Sequence, residues 1–330
     1  NNMDISGIDL ALLRFCLQQD DGPKDNVSDH AADLLKQRNP ADYEWLKKAL
    51  ASVEDDNERI KKYLAVVADK GAELEDKEFA LEQVQYLVED LDLANDLAKR
   101  GLGEVTQAMF CEDGPEGAGV GVRAMAAWVL GTLVQNNSFC QEQVLDQGVF
   151  GNALQRLLVE KEAEVQGKLL MLLSGMVRDC DQGVECAVSK LSDTSDIFCT
   201  FLSSPSQSVR LKTRLVCTHL LKSGNSAAVE LVKACGIDDA AAKLYACSTD
   251  TLEDNPTENE ISLRLFLALT AAGITDCLTI SVLPILGKRI ALLKNASDKD
   301  MYAAELMLTE DLLARLEAVQ QAQSAGSAAR

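Results

Sequence analysis

The sequence is poor in the residue types that catalysis and metal binding most often use. Its 330 residues include two histidines, His30 and His219, and no C-x-x-C, P-loop, G-x-S-x-G or H-E-x-x-H motif occurs. The glycine-rich stretch GAGVGV (117–122) lacks the G-x-G-x-x-G spacing of a dinucleotide site, and the acidic stretches DTSD and EDNPTENE lack the spacing of a calcium loop. We therefore expect no catalytic residue, no metal site and no cofactor.

Long apolar runs and an excess of basic residues are missing as well. No apolar span approaches the roughly 20 residues that cross a bilayer, and the first residues show no basic segment followed by an apolar run. The formal net charge of −20 repels phosphate backbones and anionic lipid. We predict no membrane span, no secretory signal and no nucleic-acid partner.

Prolines and aromatic residues are scarce, with six prolines and 5% aromatics, whereas alanine, leucine and charged residues abound. This composition favours helices over strands. Ten cysteines are present, and most lie inside apolar helical patterns such as FCTFL (198–202). We interpret them as reduced thiols that act as small core residues in a cytoplasmic protein.

From residue 77 onward the chain repeats itself. Each unit has a long apolar helix, a polar break, a shorter helix and a turn into a third helix. Val88, Val134, Val177 and Leu221 occupy comparable places, about 43 to 46 residues apart, which is the period of armadillo and HEAT arrays. The pattern predicts an all-α fold, an armadillo-like right-handed superhelical solenoid of about four to five repeats with helical caps and a concave groove.

The same patterns divide the chain into four segments. Residues 1–38 hold an amphipathic segment (5–19) and a flexible linker, and residues 39–76 are predicted to form N-terminal capping helices. Residues 77–317 hold the repeats with a C-terminal cap, and the low-complexity tail, 318–330, is predicted to be disordered.

Candidate binding residues lie in polar breaks of the repeats. The motifs LDLANDL, LVQNNSFCQ and MVRDCDQ carry Asn95, Asn136 and Arg178, whose side chains can form hydrogen bonds across a groove. The alternative is that these polar residues cap helices or connect neighbouring repeats, above all Asn137, which directly follows a long helix. Ala94 is expected to lie on an accessible helix surface, where its small side chain would let a partner's backbone approach closely.

These motifs also carry a family resemblance. LEDKEFALEQVQYLVEDLDLANDLAKRG, followed by AAWVLGTLVQNNSFCQEQVLDQG and LLSGMVRDC, resembles the armadillo-type nucleotide exchange factors of the 70-kDa heat-shock chaperones, in particular their cytosolic branch. The element NPADYEWLKKAL is similar to the S-E-x-x-x-W-L-x-x-A-L element of that branch. The resemblance covers residues 39–180 and fades to the general repeat pattern beyond them.

The resemblance implies a function and a partner. In this family the concave groove embraces the outer lobe of the chaperone's nucleotide-binding domain and displaces it, so that ADP is released. The factor itself needs neither nucleotide nor metal. A mobile N-terminal segment competes for the chaperone's peptide site, and the apolar stretch IDLALLRFCLQQ (8–19) is suited to that part.

The resemblance also implies which residues touch the chaperone. Ala94 and Asn95 match the D-x-A-N motif, Asn136 the Q-N-N motif and Arg178 the L-[IV]-R motif. A basic pair is expected on the next groove helix, where the sequence RLKTRLVCTHLL departs from the family pattern. It leaves Lys212 and Arg214 as candidates, and we favour Arg214.

Two other functions are considered. An armadillo adaptor of the importin or catenin kind would bind extended peptides with repeated Trp and Asn pairs, but Trp45 and Trp128 are the only tryptophans. A purely structural scaffold would leave the groove residues dispensable. We expect a monomer whose chaperone binding is abolished, without unfolding, by Ala94→Arg.

Overall fold

The computed structural model describes residues 55–113, 119–192, 197–248 and 256–328. These ranges contain helices and turns and no strand, and the chain from Asp56 onward forms one compact unit. The all-α solenoid predicted from the sequence is confirmed. The predictions for residues 1–38 and for the element NPADYEWLKKAL lie outside the described residues.

The helices follow one another in a regular order. Two helices open the described chain, four three-helix units follow, and a π-helical segment with two further helices comes last. Their bounds are α1 Asp56–Ala68, α2 Leu74–Leu87, α3 Leu91–Arg100, α4 Gly103–Ala108, α5 Gly119–Leu133, α6 Ser138–Asp146, α7 Val149–Val159, α8 Ala163–Val177, α9 Asp181–Leu191, α10 Ile197–Leu202, α11 Gln207–Lys222, α12 Ser226–Ala234, α13 Ile237–Ser248, α14 Pro256–Ala271, the π segment Leu278–Val282, α15 Leu283–Lys294 and α16 Ala303–Ala328.

Every third helix belongs to one stack. The helices α2, α5, α8, α11 and α14 lie side by side in chain order, and we call them the ladder helices. Val88, Val134, Val177 and Leu221 lie at or just beyond the ends of the first four ladder helices, and all are buried. Because one apolar position recurs at this place in each unit, the predicted period marks the actual structural repeat.

Glycines allow neighbouring ladder helices to approach closely. A Cβ on Gly131 of α5 would lie 2.7 Å from Met171 Cε of α8, and a Cβ on Gly175 of α8 would lie 2.6 Å from Val134 Cγ2. The methionine methyl can move away, whereas the Val134 side chain is short and buried. Gly175 therefore permits the close approach of the two helices.

A common turn ends three of the ladder helices. Asn136, Asp179 and Gly224 have positive φ angles of 52°, 51° and 71°. The residue after each of them caps the next helix, as Asn137 does for α6 by accepting a hydrogen bond from the Cys140 backbone N–H at 3.1 Å. Asparagine, aspartate and glycine tolerate the left-handed conformation best, so each repeat can reverse its direction within two or three residues.

Two predicted boundaries differ from the structure. The division at 76/77 falls inside α2, whose amphipathic pattern begins before the first recognisable repeat. The segment 318–330, expected to be disordered, continues α16 as far as Ala328, because its alanines and glutamines favour a helix. Within the described residues no helix is both long and apolar enough to cross a membrane.

Candidate partner-binding face

The ladder helices leave one line of side chains uncovered, and together these lines form a surface that we call the ladder face. On each helix the accessible residues recur every three or four positions, because the other sides pack on neighbouring helices. Its accessible or partly accessible residues include Glu75, Phe79, Glu82 and Tyr86 on α2, Met125, Trp128 and Thr132 on α5, Glu164, Lys168 and Met171 on α8, Ser208, Lys212, Leu215 and His219 on α11, and Arg264 and Leu267 on α14.

Charge is distributed unevenly over this face. The first helix, α2, contributes carboxylates beside two exposed aromatic rings, Phe79 and Tyr86, which are 55% and 67% exposed. The middle helices add two lysines, Lys168 and Lys212, together with the exposed carboxylate of Glu164. A complementary partner would carry basic groups at one end of its contact surface and acidic groups further along.

Two predicted residues, Asn136 and Arg178, lie at the edge where ladder helices turn back. Asn136 is exposed. The Arg178 side chain is 45% exposed, and its Nε lies 3.6 Å from Asp179 Oδ2, a contact between adjacent residues at the surface. The Arg178 backbone carbonyl accepts a hydrogen bond from Gln141 Nε2 at 2.9 Å, which fixes this turn against the preceding repeat. Both side chains are available to a partner.

Asn95 connects two repeats. Its Oδ1 accepts a hydrogen bond from Asn137 Nδ2 at 3.0 Å, and the Cys140 thiol lies 3.5 Å from the same oxygen. Asn95 is partly exposed, so its amide NH2 can still face solvent or a partner. The carbonyl oxygen of Asn95 therefore has the role that the predicted alternative gave to the side chain, which is to connect adjacent repeats.

Ala94 differs from its expected environment. Only 2% of the residue is exposed, and it belongs to the continuous core. Ala94 lies in the first turn of α3, on the side of the helix that packs against neighbouring helices. Its small side chain is therefore required by the packing of the core. An Ala94→Arg exchange would place a charge in that core, and it cannot separate binding from folding.

The two candidates on α11 have different surroundings. Arg214 is 2% exposed, and its Nη1 donates to Glu258 Oε1 at 3.0 Å on the next ladder helix. Glu258 also accepts from Arg210 Nε at 3.2 Å. Arg214, the favoured contact residue, is thus engaged within the fold, whereas Lys212 is partly exposed on the ladder face.

The electrostatics of this ion cluster follow from its burial. Burial alone would raise the pKa of Glu258, but the hydrogen bonds from Arg210 and the charge of Arg214 outweigh it and lower the pKa below 4.5. Burial lowers the pKa of Arg214 despite the attraction of Glu258, although a guanidinium stays protonated in proteins. The cluster is therefore a charged network that links α11 to α14.

Lys168 on α8 was missed by the sequence analysis. Its Nζ lies 3.1 Å from the centroid of the Trp128 ring on the neighbouring helix α5. Lys212 Nζ of α11 lies 3.4 Å from the place that a Cβ on Gly167, the residue before Lys168, would occupy. The available signal was a lone lysine inside the apolar run VQGKLLMLL, one repeat after a tryptophan in another apolar run.

No group of three histidine, cysteine, aspartate or glutamate side chains is placed to hold a metal ion in the part of the chain that the structure describes. Among the cysteines whose side chains are described, Cys140 lies next to Asn95 in the contact between two repeats. Burial raises the pKa of the Cys140 thiol to about 11, so it stays protonated beside Asn95.

A protein-family model matches the first part of the chain. The model described as nucleotide exchange factor Fes1 matches residues 10–97. Among curated proteins, the Hsp70 nucleotide exchange factor FES1 of Coccidioides immitis is 30% identical over 161 residues, which is 49% of this chain and 71% of that protein. The human Hsp70-binding protein 1 is 28% identical over 155 residues, 43% of this chain and 42% of that protein.

Solved structures extend the likeness to the fold of most of the chain. A designed armadillo repeat protein superposes with a TM-score of 0.58 at 10% identity and covers 77% of this chain and 98% of its own. An engineered protein superposes with a TM-score of 0.61 at 14% identity and covers 78% of this chain and 98% of its own. At these identities the likeness concerns the armadillo fold alone.

Proposed function

This chain belongs to the Fes1 family of nucleotide exchange factors, and we propose that it is a cochaperone of a cytosolic 70-kDa heat-shock chaperone. It binds the chaperone's nucleotide-binding domain through the ladder face and through the adjoining turns that carry Asn136 and Arg178, which we call the turn edge. This binding accelerates ADP release. The 161-residue similarity to an Hsp70 nucleotide exchange factor carries the proposal.

The mechanism needs no reaction on this chain. A factor that binds the open nucleotide-binding domain more tightly than the closed, ADP-bound one shifts the chaperone toward the open state. By linkage, the nucleotide then binds more weakly by the same factor. A solenoid suits this task, because its repeats hold a long surface rigidly enough to favour one orientation of the partner's lobe.

The residues divide into contacts and supports. Asn136, Arg178 and Lys212 have accessible side chains, and we assign them to the interface together with the amide NH2 of Asn95. Ala94 and Arg214 are buried, so we assign them no contact with the chaperone. They stabilise the helices that carry the contact residues. The protein acts as a monomer in the cytosol, where cysteines are kept reduced.

The test is the rate at which a fluorescent ADP leaves a purified cytosolic 70-kDa chaperone, followed by stopped flow. The parent protein should raise this rate, and Arg178→Ala should reduce the effect because it removes an exposed cation at the turn edge. Lys233→Ala is the matched control, since Lys233 is an exposed cation at the end of α12, away from the ladder face.

The outcomes separate the candidate functions. A folded parent protein that leaves the ADP release rate unchanged would contradict the exchange-factor proposal and leave an adaptor that binds extended peptides. Equal loss of activity in Arg178→Ala and Lys233→Ala would contradict the assigned surface.

A further inference from the structure

Three consecutive ladder helices contribute one residue each to a small cluster on the ladder face. Trp128 comes from α5, Lys168 from α8 and Lys212 from α11, and all three are partly exposed. The Lys168 ammonium lies over the indole at 3.1 Å from the ring centroid. The Lys212 amine extends over Gly167, 3.4 Å from the place that a Cβ there would occupy. One cation thus lies over the aromatic ring, and the second lies beside the residue that precedes the first.

This cluster differs from the buried arginines of the described chain. Arg123 is paired with Glu160 at 3.0 Å, Arg214 with Glu258 at 3.0 Å and Arg289 with Glu305 at 2.8 Å. No carboxylate of the described residues, by contrast, comes within 4.0 Å of the amine of Lys168 or Lys212.

The two amines are costly to keep charged in the free protein. Burial, and then the charge of Lys212, lower the pKa of Lys168 to about 8, and the charge of Glu164 offsets only part of this. Burial also lowers the pKa of Lys212. Partly desolvated cations without an anion gain most when an anion arrives, since the desolvation cost has already been met within the fold.

The surroundings indicate what kind of anion fits. Met125 precedes Trp128 by three positions, and Met171 and Leu215 follow Lys168 and Lys212 by three, so each helix places an apolar side chain beside the cluster. All three apolar side chains are partly exposed. A partly exposed tryptophan with apolar side chains near it is typical of the centre of a protein–protein interface. The two lysines on the next helices add a requirement for negative charge on the partner. A small free anion would leave the apolar side chains uncovered.

We propose that Trp128, Lys168 and Lys212 form the site that recognises a carboxylate-bearing surface segment on the chaperone's nucleotide-binding domain. The inference rests on the proposed function and deepens it, because it names the central contact of the ladder face and the chemistry of the partner there. The segment's carboxylates lie between the two ammonium groups, and its apolar side chains cover the methionines and Leu215.

The experiment compares the parent protein with Lys168→Met and Lys212→Met, which keep the side-chain length and remove the charge. Lys190→Met is the matched control, because Lys190 is an exposed lysine near the end of α9. For each protein we would measure the Kd for the purified nucleotide-binding domain at several salt concentrations, and the urea midpoint of unfolding of the free protein.

Each substitution at the site should weaken binding on the order of tenfold or more and reduce its dependence on salt, while Lys190→Met stays near the parent. The urea midpoint of the free protein should stay the same or rise, because the substitution removes an uncompensated cation. A merely structural lysine would lower the midpoint and leave the salt dependence unchanged.

Two results would overturn the inference while the proposed function stands. One is a parent protein that binds and accelerates ADP release together with Lys168→Met and Lys212→Met variants that bind equally well. The other is protection of Lys168 from acylation by millimolar inorganic phosphate but not by the nucleotide-binding domain, which would mark a site for small anions. If the parent protein neither binds the domain nor accelerates ADP release from the chaperone, the proposed function is contradicted. This inference is then contradicted as well.

Discussion

The guanidinium of Arg289 on α15 donates to the carboxylate of Glu305 on α16 over 2.8 Å, and both side chains are completely excluded from solvent. The pair lies near the C-terminal end of the array, where the three-helix repeat has given way to α15 and α16. A buried ion pair contributes little net stability but is costly to break, because the remaining charge is left without a partner.

We expect each single substitution of this pair, Arg289→Met or Glu305→Leu, to lower the free energy of unfolding by about 3 to 5 kcal/mol. The double variant should recover most of that loss, since it buries two apolar side chains of similar volume. Urea unfolding of the four proteins forms a double-mutant cycle. Additive losses in the double variant would show that the two side chains do not depend on each other.

The Glu258 cluster predicts an acid-sensitive contribution to stability. The pKa of Glu258 is lowered in the folded protein, so its contribution is complete above the ordinary value of 4.5 and is lost as the pH falls through the lowered value. At pH 7, Glu258→Gln should cost about 2 to 4 kcal/mol, and the difference from the parent should shrink at pH 3.

The control for that measurement is Glu230→Gln, an exposed carboxylate on α12, which should stay within about 0.5 kcal/mol of the parent at both pH values. Urea midpoints measured at each pH would provide the comparison. A loss for Glu258→Gln that is the same at pH 3 and pH 7 would mean that packing, and not charge, accounts for it.

Two glycines in helices should respond to alanine in opposite directions. Gly175→Ala places a Cβ against Val134 and should destabilise the protein by about 1 to 3 kcal/mol. A Cβ at Gly287 on α15 meets nothing within 4 Å, so Gly287→Ala should stabilise it by about 0.5 to 1 kcal/mol. Thermal unfolding of both variants measures the difference, and a stabilised Gly175→Ala would refute the close approach of α5 and α8.

Asn137 has two functions that substitutions can separate. Asn137→Ala removes both the cap on α6 and the hydrogen bond to Asn95, and should cost about 1 to 2 kcal/mol. Asn95→Ala leaves the cap on α6 in place and removes the acceptor of the Asn137 amide, so it should cost less than Asn137→Ala. Urea unfolding measures both losses, and equal losses would mean that the cap contributes nothing beyond the hydrogen bond to Asn95.

Much of the fold could be predicted because it depends on local patterns. Apolar residues at helical spacing identify the ladder helices, and the recurrence of Val88, Val134, Val177 and Leu221 identifies the repeat without knowledge of any contact. The end of the chain was harder to predict. The low-complexity composition of the tail indicated disorder, whereas its alanines and glutamines extend α16 in the structure.

The exposure of the candidate residues was predicted in part. Asn136 and Arg178 sit where the polar breaks in the sequence placed them, because a break between two helices must reach the surface. Ala94 and Arg214 did not meet the expectation. Each lies on a helix with polar and apolar residues on several sides, and a sequence does not reveal which side a neighbouring helix covers.

By itself, the sequence determined the helices, their period and the turns between them, since these follow from propensity and from spacing within a few turns. The tertiary structure alone decided which charges are paired. Arg214 reaches a carboxylate 44 residues away, and Lys168 lies over the ring of Trp128 on the preceding ladder helix. Such choices depend on how one repeat stacks on the next, because the energy of a charge is set by its nearest atoms in space and not by its neighbours in the chain.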